Sequence, residues 1–399
     1  MAEKSPERAS CPHAPQCVPC PFRGLPYREQ LARKRRQIEA ALAARASLGA
    51  VPIEDVVGSR DLFGYRNVAK LAVRARRDGT LRAGVYAPGT HRLVDADGCA
   101  AQHPAVNEVV GATLAEASAA GIEAYDERSG SGELRYVVAR HSAWQRRVVL
   151  VLVSARADDT RLRELSRRLA RRCRMLGGIV VNYNAERGNV IFGRRYATLY
   201  RTGTLLERFG FLEVQASAGS FLQANPWTAR RIYETALAWA APEAGDVVVD
   251  LYCGVGPLSL YLATRARLVV GIEESPSAVR DARTNQRRNA LHNVRFAEGR
   301  AQEVLSGMRA SVPRAEIVTL NPTRHGASPA VLDSIVELGP RRIVYVSCAA
   351  DTLARDLDRL VALGYRTTRV QPFDMLPQTD HVEIVALLET TRDGLVRSR

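Results

Sequence analysis

The chain has 399 residues, 46% of them hydrophobic and 25% charged, with a formal charge of +15. These figures exclude a disordered chain and allow two or three domains, each with a core of its own. No apolar run reaches the roughly 20 residues of a membrane span, and the N-terminal residues lack the apolar stretch of a secretory leader, so a cytoplasmic protein without membrane contact is expected.

The first 26 residues contain Cys11-Pro-His-Ala-Pro-Gln-Cys17-Val-Pro-Cys20-Pro. Prolines at that density bar helix and strand. Three cysteines in ten residues suit a metal or cluster, and a four-ligand site needs one more. Cys99, in Asp95-Ala-Asp-Gly-Cys99, is the natural fourth. Zinc and an iron–sulfur cluster both remain open, with His13 and His103 able to join a zinc site. Seven cysteines and no secretory leader argue against a disulfide framework.

Residues 27–54 begin with a predicted helix, from Tyr27 to about Ala46. Leu31, Ile38 and Leu42 mark its apolar face; Arg28, Arg33, Lys34, Arg35 and Arg36 mark a basic face that suits RNA or plain solvation. Residues 55–215 read as an α+β domain. Strands are predicted near 63–74, 81–86, 134–140, 147–153, 180–184 and 189–192. A helix is predicted between Asp158 and Leu176, with Leu162, Leu165, Leu169, Cys173 and Leu176 on one stripe. Nothing in this domain reads as catalytic. The excess of positive charge makes a polyanion the first partner to consider, because Lys and Arg displace counterions from phosphates.

Residues 216–399 turn to a strand–loop–helix rhythm. Strands are predicted at 247–250, 268–273, 294–297, 316–320, 343–347, 367–373 and 382–388. This is an α/β pattern: a doubly wound, mostly parallel, seven-stranded sheet closed by an antiparallel hairpin. Asp250-Leu-Tyr-Cys-Gly-Val-Gly256 couples an acid at a strand end to a Gly-rich turn, and Glu273 ends the next strand. Acid–GxG–acid suits S-adenosylmethionine (SAM) in a Rossmann-like fold; a dinucleotide dehydrogenase is the competing use. Cys348 ends the buried strand Ile343–Ser347. A thiol there can be a nucleophile favoured by the helix that follows, or a buried structural cysteine.

Five ordered segments together resemble the uracil-C5 RNA methyltransferase family over nearly the whole chain. They are Ser220-Phe-Leu-Gln-Ala-Asn225-Pro, Asp250–Gly256, Asn321-Pro-Thr-Arg-His-Gly326, Tyr345-Val-Ser-Cys348 with the following Thr-Leu-Ala-Arg-Asp356, and Asp374-Met-Leu-Pro-Gln-Thr-Asp-His-Val-Glu383. The resemblance implies a class I SAM methyltransferase domain beside a central RNA-recognition domain. It implies Cys348 as the thiolate that adds to uracil C6 and Glu383 as the base that removes the C5 proton. Gln223, Tyr252, Glu273 and Asn321 match the SAM-holding positions. Cys11, Cys17, Cys20 and Cys99 match the iron–sulfur members, which favours [4Fe–4S] over zinc. The layout is that of members without an N-terminal TRAM domain. The expected substrate is 23S ribosomal RNA ahead of transfer RNA, and the expected state is a monomer. The chain departs from the family pattern at Arg300, Thr323 and Ala349, which motivates a second reading as an RNA-binding protein without catalysis. The first helix is expected to pack on the methyltransferase domain.

Overall fold

The computed structural model describes residues 11, 17 and 19–391, apart from 88, 189 and 309. The predicted zinc ligand His13 lies outside the described residues. The chain forms two compact units, and both are discontinuous. Residues 1–24, 61–207 and 216–219 make the first, and residues 25–60, 208–215 and 220–399 make the second. Among the described residues no helix is long and apolar enough to cross a membrane.

The second unit opens with α1 (Tyr27–Ala43). In the first unit follow β1 (Val68–Ala75), β2 (Leu81–Tyr86), β3 (Leu93–Asp95), α2 (Pro104–Ala119), β4 (Leu134–Ser142), β5 (Arg147–Ser154), α3 (Thr160–Arg172), β6 (Leu176–Tyr183) and β7 (Arg195–Arg201). Their strands form one sheet in the order β3-β2-β1-β4-β5-β6-β7, antiparallel except for β5 and β6. Val106 and Val109 of α2 and Leu162, Leu165 and Leu169 of α3 pack on one of its faces. A two-stranded sheet, β8 (Thr204–Phe209) with β9 (Leu212–Ser217), follows.

Three sequence expectations change here. The helix predicted to run to Leu176 stops at Arg172, because Cys173 is extended and Leu176 pairs with Val148 in the ladder. Cys173 is buried in the core all the same. Residues 190–192, predicted as strand, are irregular, and the strand begins at Arg195. The Asn182 and Asn184 side chains occupy the backbone groups that a ladder would use: Asn182 Nδ2 donates to Gly193 O (2.9 Å) and Asn184 Nδ2 to Val190 O (2.8 Å). Lys34, assigned to the basic outer face of α1, is buried with its ammonium 2.5 Å from Asp374 Oδ1.

The second unit continues with α4 (Pro226–Ala240), β10 (Val247–Leu251), α5 (Pro257–Ala263), β11 (Leu268–Glu273), α6 (Pro276–Arg288), β12 (Val294–Glu298), α7 (Ala301–Met308), β13 (Ile317–Leu320), α8 (Pro329–Glu337), β14 (Arg342–Ser347), α9 (Ala350–Ala362), β15 (Tyr365–Phe373) and β16 (Glu383–Thr390). Helices α4, α5, α6 and α8 each start on a proline, whose missing N–H costs nothing at that position. Asn225, Ser275 and Ser328 cap α4, α6 and α8 by accepting a backbone N–H from the first turn. The sheet order is β12-β11-β10-β13-β14-β16-β15. The first five strands are parallel and β16 is antiparallel to both its neighbours. This is the seven-stranded sheet the sequence predicts. The strand order reverses at β10, so the carboxyl ends of β10 and β13 flank a switch point where ligands collect. Apolar residues of β10, β13 and β14 form one core with Ile38 and Leu42 of α1 and Leu353 and Leu357 of α9.

Candidate active site

At the carboxyl edge of the second sheet lies a cavity of about 380 Å³. Gln223, Tyr252, Glu273, Asn321, Cys348 and Glu383 all line it. Six positions that span 160 residues of sequence thus converge on one space.

Each arrives on a separate element. The Val247–Val249 run carries β10 through the core to Asp250, whose buried carboxylate accepts Ser259 Oγ (2.5 Å) and Thr319 Oγ1 (2.6 Å). Burial pushes the Asp250 carboxyl up to about 6 against those two bonds. Tyr252 then turns the chain at φ 59. Gly256 follows at φ 86, where a Cβ would stand 2.8 Å from the Phe296 ring, so only glycine passes there. Glu273, at the end of β11, accepts Gly254 N (3.0 Å) and Ser275 N (2.8 Å) and so ties the Gly turn to the second strand. Asn321 follows β13, and its N–H is held by Leu251 O. A smaller space of about 200 Å³ lies beside Tyr252, Glu273, Glu274 and Arg300.

Cys348 and Glu383 come from the two antiparallel neighbours. In the ladder Ser347 stands opposite Ile384, which sets Cys348 and Glu383 beyond the same rung. A parallel strand would deliver its N-terminal residue to the far edge; only the reversed β16 brings Glu383 here. Burial pushes the Glu383 carboxyl up to about 7, with Arg324 opposing. Burial also raises the Cys348 thiol above its ordinary value, and Glu383 adds to the rise; the positive charge of the Arg324 guanidinium opposes both. The preference of a helix N-terminus for thiolate, expected from α9, is therefore outweighed in the protein alone. Ala349, at the α9 N-cap, contributes no side-chain cap. Ser347 closes that turn, its Oγ accepting Ala349 N (3.2 Å) and donating to Ala349 O (3.1 Å).

Arg324 is the functional residue to which sequence reasoning assigned no role. It sits in the quoted Asn321–Gly326 segment, and the signal available was a cation two residues after Pro322. α9 holds its loop: Thr352 Oγ1 donates to Arg324 O (3.0 Å), Arg355 to His325 O (2.9 Å), and Asp356 accepts Ala327 N (2.8 Å). Arg324 Nη2 lies 3.0 Å from His381 Nδ1. Arg324→Leu is expected to slow attack by the thiol about 10- to 100-fold and to move the rise of its rate toward higher pH. Single-turnover capture across a pH series measures both. An unshifted profile would exclude the guanidinium from thiol activation.

In the first unit, Cys11, Cys17, Cys20 and Cys99 are all half-buried. A side-chain bond from Cys17 and burial raise the Cys20 thiol, and Cys17, Cys99 and Cys11 add like-charge repulsion. Burial raises the Cys99 thiol above its ordinary value, and like-charge repulsion from Cys17 and Cys11 adds to the rise. These are neighbours suited to thiolates that share a soft cation. Among the described residues, however, no three His, Cys, Asp or Glu side chains stand at metal-holding spacing. His103, offered as a zinc ligand, caps α2 and stacks on His141 at 3.8 Å between ring centroids.

A family model described as tRNA (Uracil-5-)-methyltransferase matches residues 207–391. An uncharacterized RNA methyltransferase of Geobacter sulfurreducens is 40% identical over 382 residues, 95% of this chain and 76% of that protein. One of Halalkalibacterium halodurans is 37% identical over 391 residues, 98% of this chain and 85% of its own. Among solved structures, Pyrococcus abyssi tRNA (uracil-54, C5)-methyltransferase in complex with S-adenosyl-L-homocysteine superimposes with a TM-score of 0.74 at 26% identity, covering 94% of this chain and 86% of that one.

Proposed function

The chain belongs to the uracil-C5 RNA methyltransferase family, and from that premise we propose that it forms 5-methyluridine in 23S ribosomal RNA through a covalent adduct between Cys348 and uracil C6. It is an SAM-dependent RNA methyltransferase with a Rossmann-like catalytic fold. The observation that carries the covalent reading is the single cavity shared by Cys348, Glu383 and the four residues matched to SAM binding.

Uracil C5 is a weak nucleophile until C6 is substituted. The Cys348 sulfur adds to C6, and the C4–C5 enolate so formed attacks carbon. Bound SAM supplies an electrophilic methyl group, leaving as S-adenosylhomocysteine. Glu383 then takes the C5 proton, and the electron pair of that C–H bond expels the sulfur from C6. Arg324 stabilises the thiolate before addition and the carboxylate before proton transfer. Gln223, Tyr252, Glu273 and Asn321 hold SAM; Glu273 is suited to the ribose hydroxyls because its backbone bonds leave lone pairs on both oxygens. A target base inside a stem must leave its stack to reach a cavity of this size.

Cys11, Cys17, Cys20 and Cys99 would hold a [4Fe–4S] cluster, an electron-rich group that four thiolates suit. The support is the donor set: four half-buried thiols, near enough that Cys17, Cys99 and Cys11 all raise the Cys20 thiol by like-charge repulsion. Protein purified without oxygen is expected to carry iron and sulfide near four atoms of each per chain, and Cys99→Ala to lose both while zinc stays absent. Zinc without sulfide would assign the site to zinc.

Transfer RNA is the second reading, favoured by the solved relative, described as a tRNA methyltransferase and similar over 94% of the chain. The protein is expected to work as a monomer in the cytoplasm. Mass spectrometry of 5-methyluridine in both RNAs, from cells with and without the gene, tests the proposal. Loss confined to 23S RNA supports it, loss confined to transfer RNA moves the substrate, and loss from neither overturns it.

A further inference from the structure

We infer that a polar stripe on α1, made by half-buried Tyr27 and buried Gln30 and Lys34, positions the hairpin end that carries Glu383. The inference rests on Glu383 acting as the base of the covalent reaction.

Glu383 opens β16, and its ladder partner is Phe373, the last residue of β15. This is the final rung of the hairpin, where a ladder frays unless something holds it. Asp374 follows at once. It is buried and receives Lys34 Nζ at 2.5 Å and the Tyr27 hydroxyl at 2.7 Å. Lys34 also donates to Leu376 O (3.1 Å). Gln30, 1% exposed, donates to Gln378 Oε1 (3.0 Å) and accepts Gln378 N (2.9 Å). Gln378 stands at φ 70, a conformation that a residue with a Cβ rarely adopts without external support.

Positions 27, 30 and 34 lie on one stripe of a helix. Apolar side chains there would pack α1 onto the same surface without the desolvation cost of a buried ion pair. Polar ones add a register: they admit one placement of the 374–378 segment. The node also reaches the SAM side of the cavity. Tyr27 Oη accepts Ser59 N (2.7 Å), and Ser59 Oγ accepts Asn225 Nδ2 (3.0 Å). Asn225 donates as well to Met375 O (3.2 Å). Asn225 lies two residues after Gln223, so one network braces the segments that carry Gln223 and Glu383.

If the stripe positions the base, its loss should impair proton removal and spare addition. Full-length Lys34→Met is expected to turn over unmodified uridine RNA about 100-fold more slowly with no rise in KM for RNA or SAM. A denaturant-stable, methylated enzyme–RNA adduct should accumulate during turnover, and capture of 5-fluorouridine RNA should proceed at the wild-type rate. Tyr27→Phe, which deletes one hydroxyl, should show the same pattern at smaller amplitude, and it decides the matter where Lys34→Met does not fold. Capture and turnover falling in equal proportion would mean lost folded protein and would overturn the inference. Wild-type turnover in both variants would do the same. Adduct accumulation in Glu383→Gln but not in either α1 variant would leave the covalent reading standing and remove α1 from it. No capture by the wild-type enzyme would sink the covalent reading itself, and the inference with it.

Discussion

Cys348→Ala is expected to abolish methylation, a loss on the order of 10⁵-fold or to the detection floor, as when the nucleophile of a concerted set is removed. It should also abolish capture of 5-fluorouridine RNA on denaturing gels, while SAM affinity measured by calorimetry stays near wild type. The split follows from geometry. Cys348 follows β14, whereas the SAM-matched residues come from the segment before α4 and the ends of β10, β11 and β13. An alanine there leaves a small void at the edge of the cavity and leaves the Glu273 bonds that tie the Gly turn in place. A second thiol, Cys253, lines the same cavity, but burial drives it well above the ordinary cysteine value. Adduct that survives Cys348→Ala would transfer the nucleophile to Cys253.

Glu383→Gln is expected to act in the opposite sense on the adduct. Addition and methyl transfer proceed, proton removal stalls, and the methylated adduct accumulates while turnover falls about 10²- to 10⁴-fold. The wild-type enzyme should gain activity as pH rises through about 7, because the base works as a carboxylate and its carboxyl is held at about 7 by burial. That limb should vanish in the glutamine variant. The same substitution should stabilise the fold near neutrality. A carboxyl whose folded value lies above its unfolded one favours the native state at low pH, and the advantage is lost as pH rises from about 4.5 through 7. Glutamine never ionises, so its benefit, about 1–3 kcal/mol, should appear at pH 8 and be absent at pH 4. Melts at the two values test it. Equal melting of both proteins at pH 8 would show that the carboxylate is not desolvated.

The catalytic sheet was legible because a buried parallel strand is written as a continuous apolar run, as in Val247-Val-Val and Ile343-Val-Tyr-Val, and the chemistry stands where the run stops. The reversal of β16 was legible from two strands with no helix between them. What escaped the sequence depends on partners far along the chain. Lys34 looks like its arginine neighbours until Asp374 is folded against it. Helix α2 was unread because Ala, Val and Gly give its faces little contrast and His103 is an unusual cap. Arg324 lay inside the Asn321–Gly326 segment, but its charge acts on Cys348 across from one strand end to the next.

The discontinuity of the second unit has a consequence for synthesis on the ribosome. Lys34 and Asp374 are 340 residues apart, so at about 5–20 residues per second α1 is finished roughly 20–70 s before its partner exists. Throughout that interval the first unit can fold as an insert, while α1 waits with Ile38, Leu42 and a lysine destined for burial all uncovered. A nascent chain stalled before residue 374 therefore presents an undocked amphipathic helix, a ready target for chaperones, and the segment that leads to Glu383 is braced only when α1 and residues 374–378 meet.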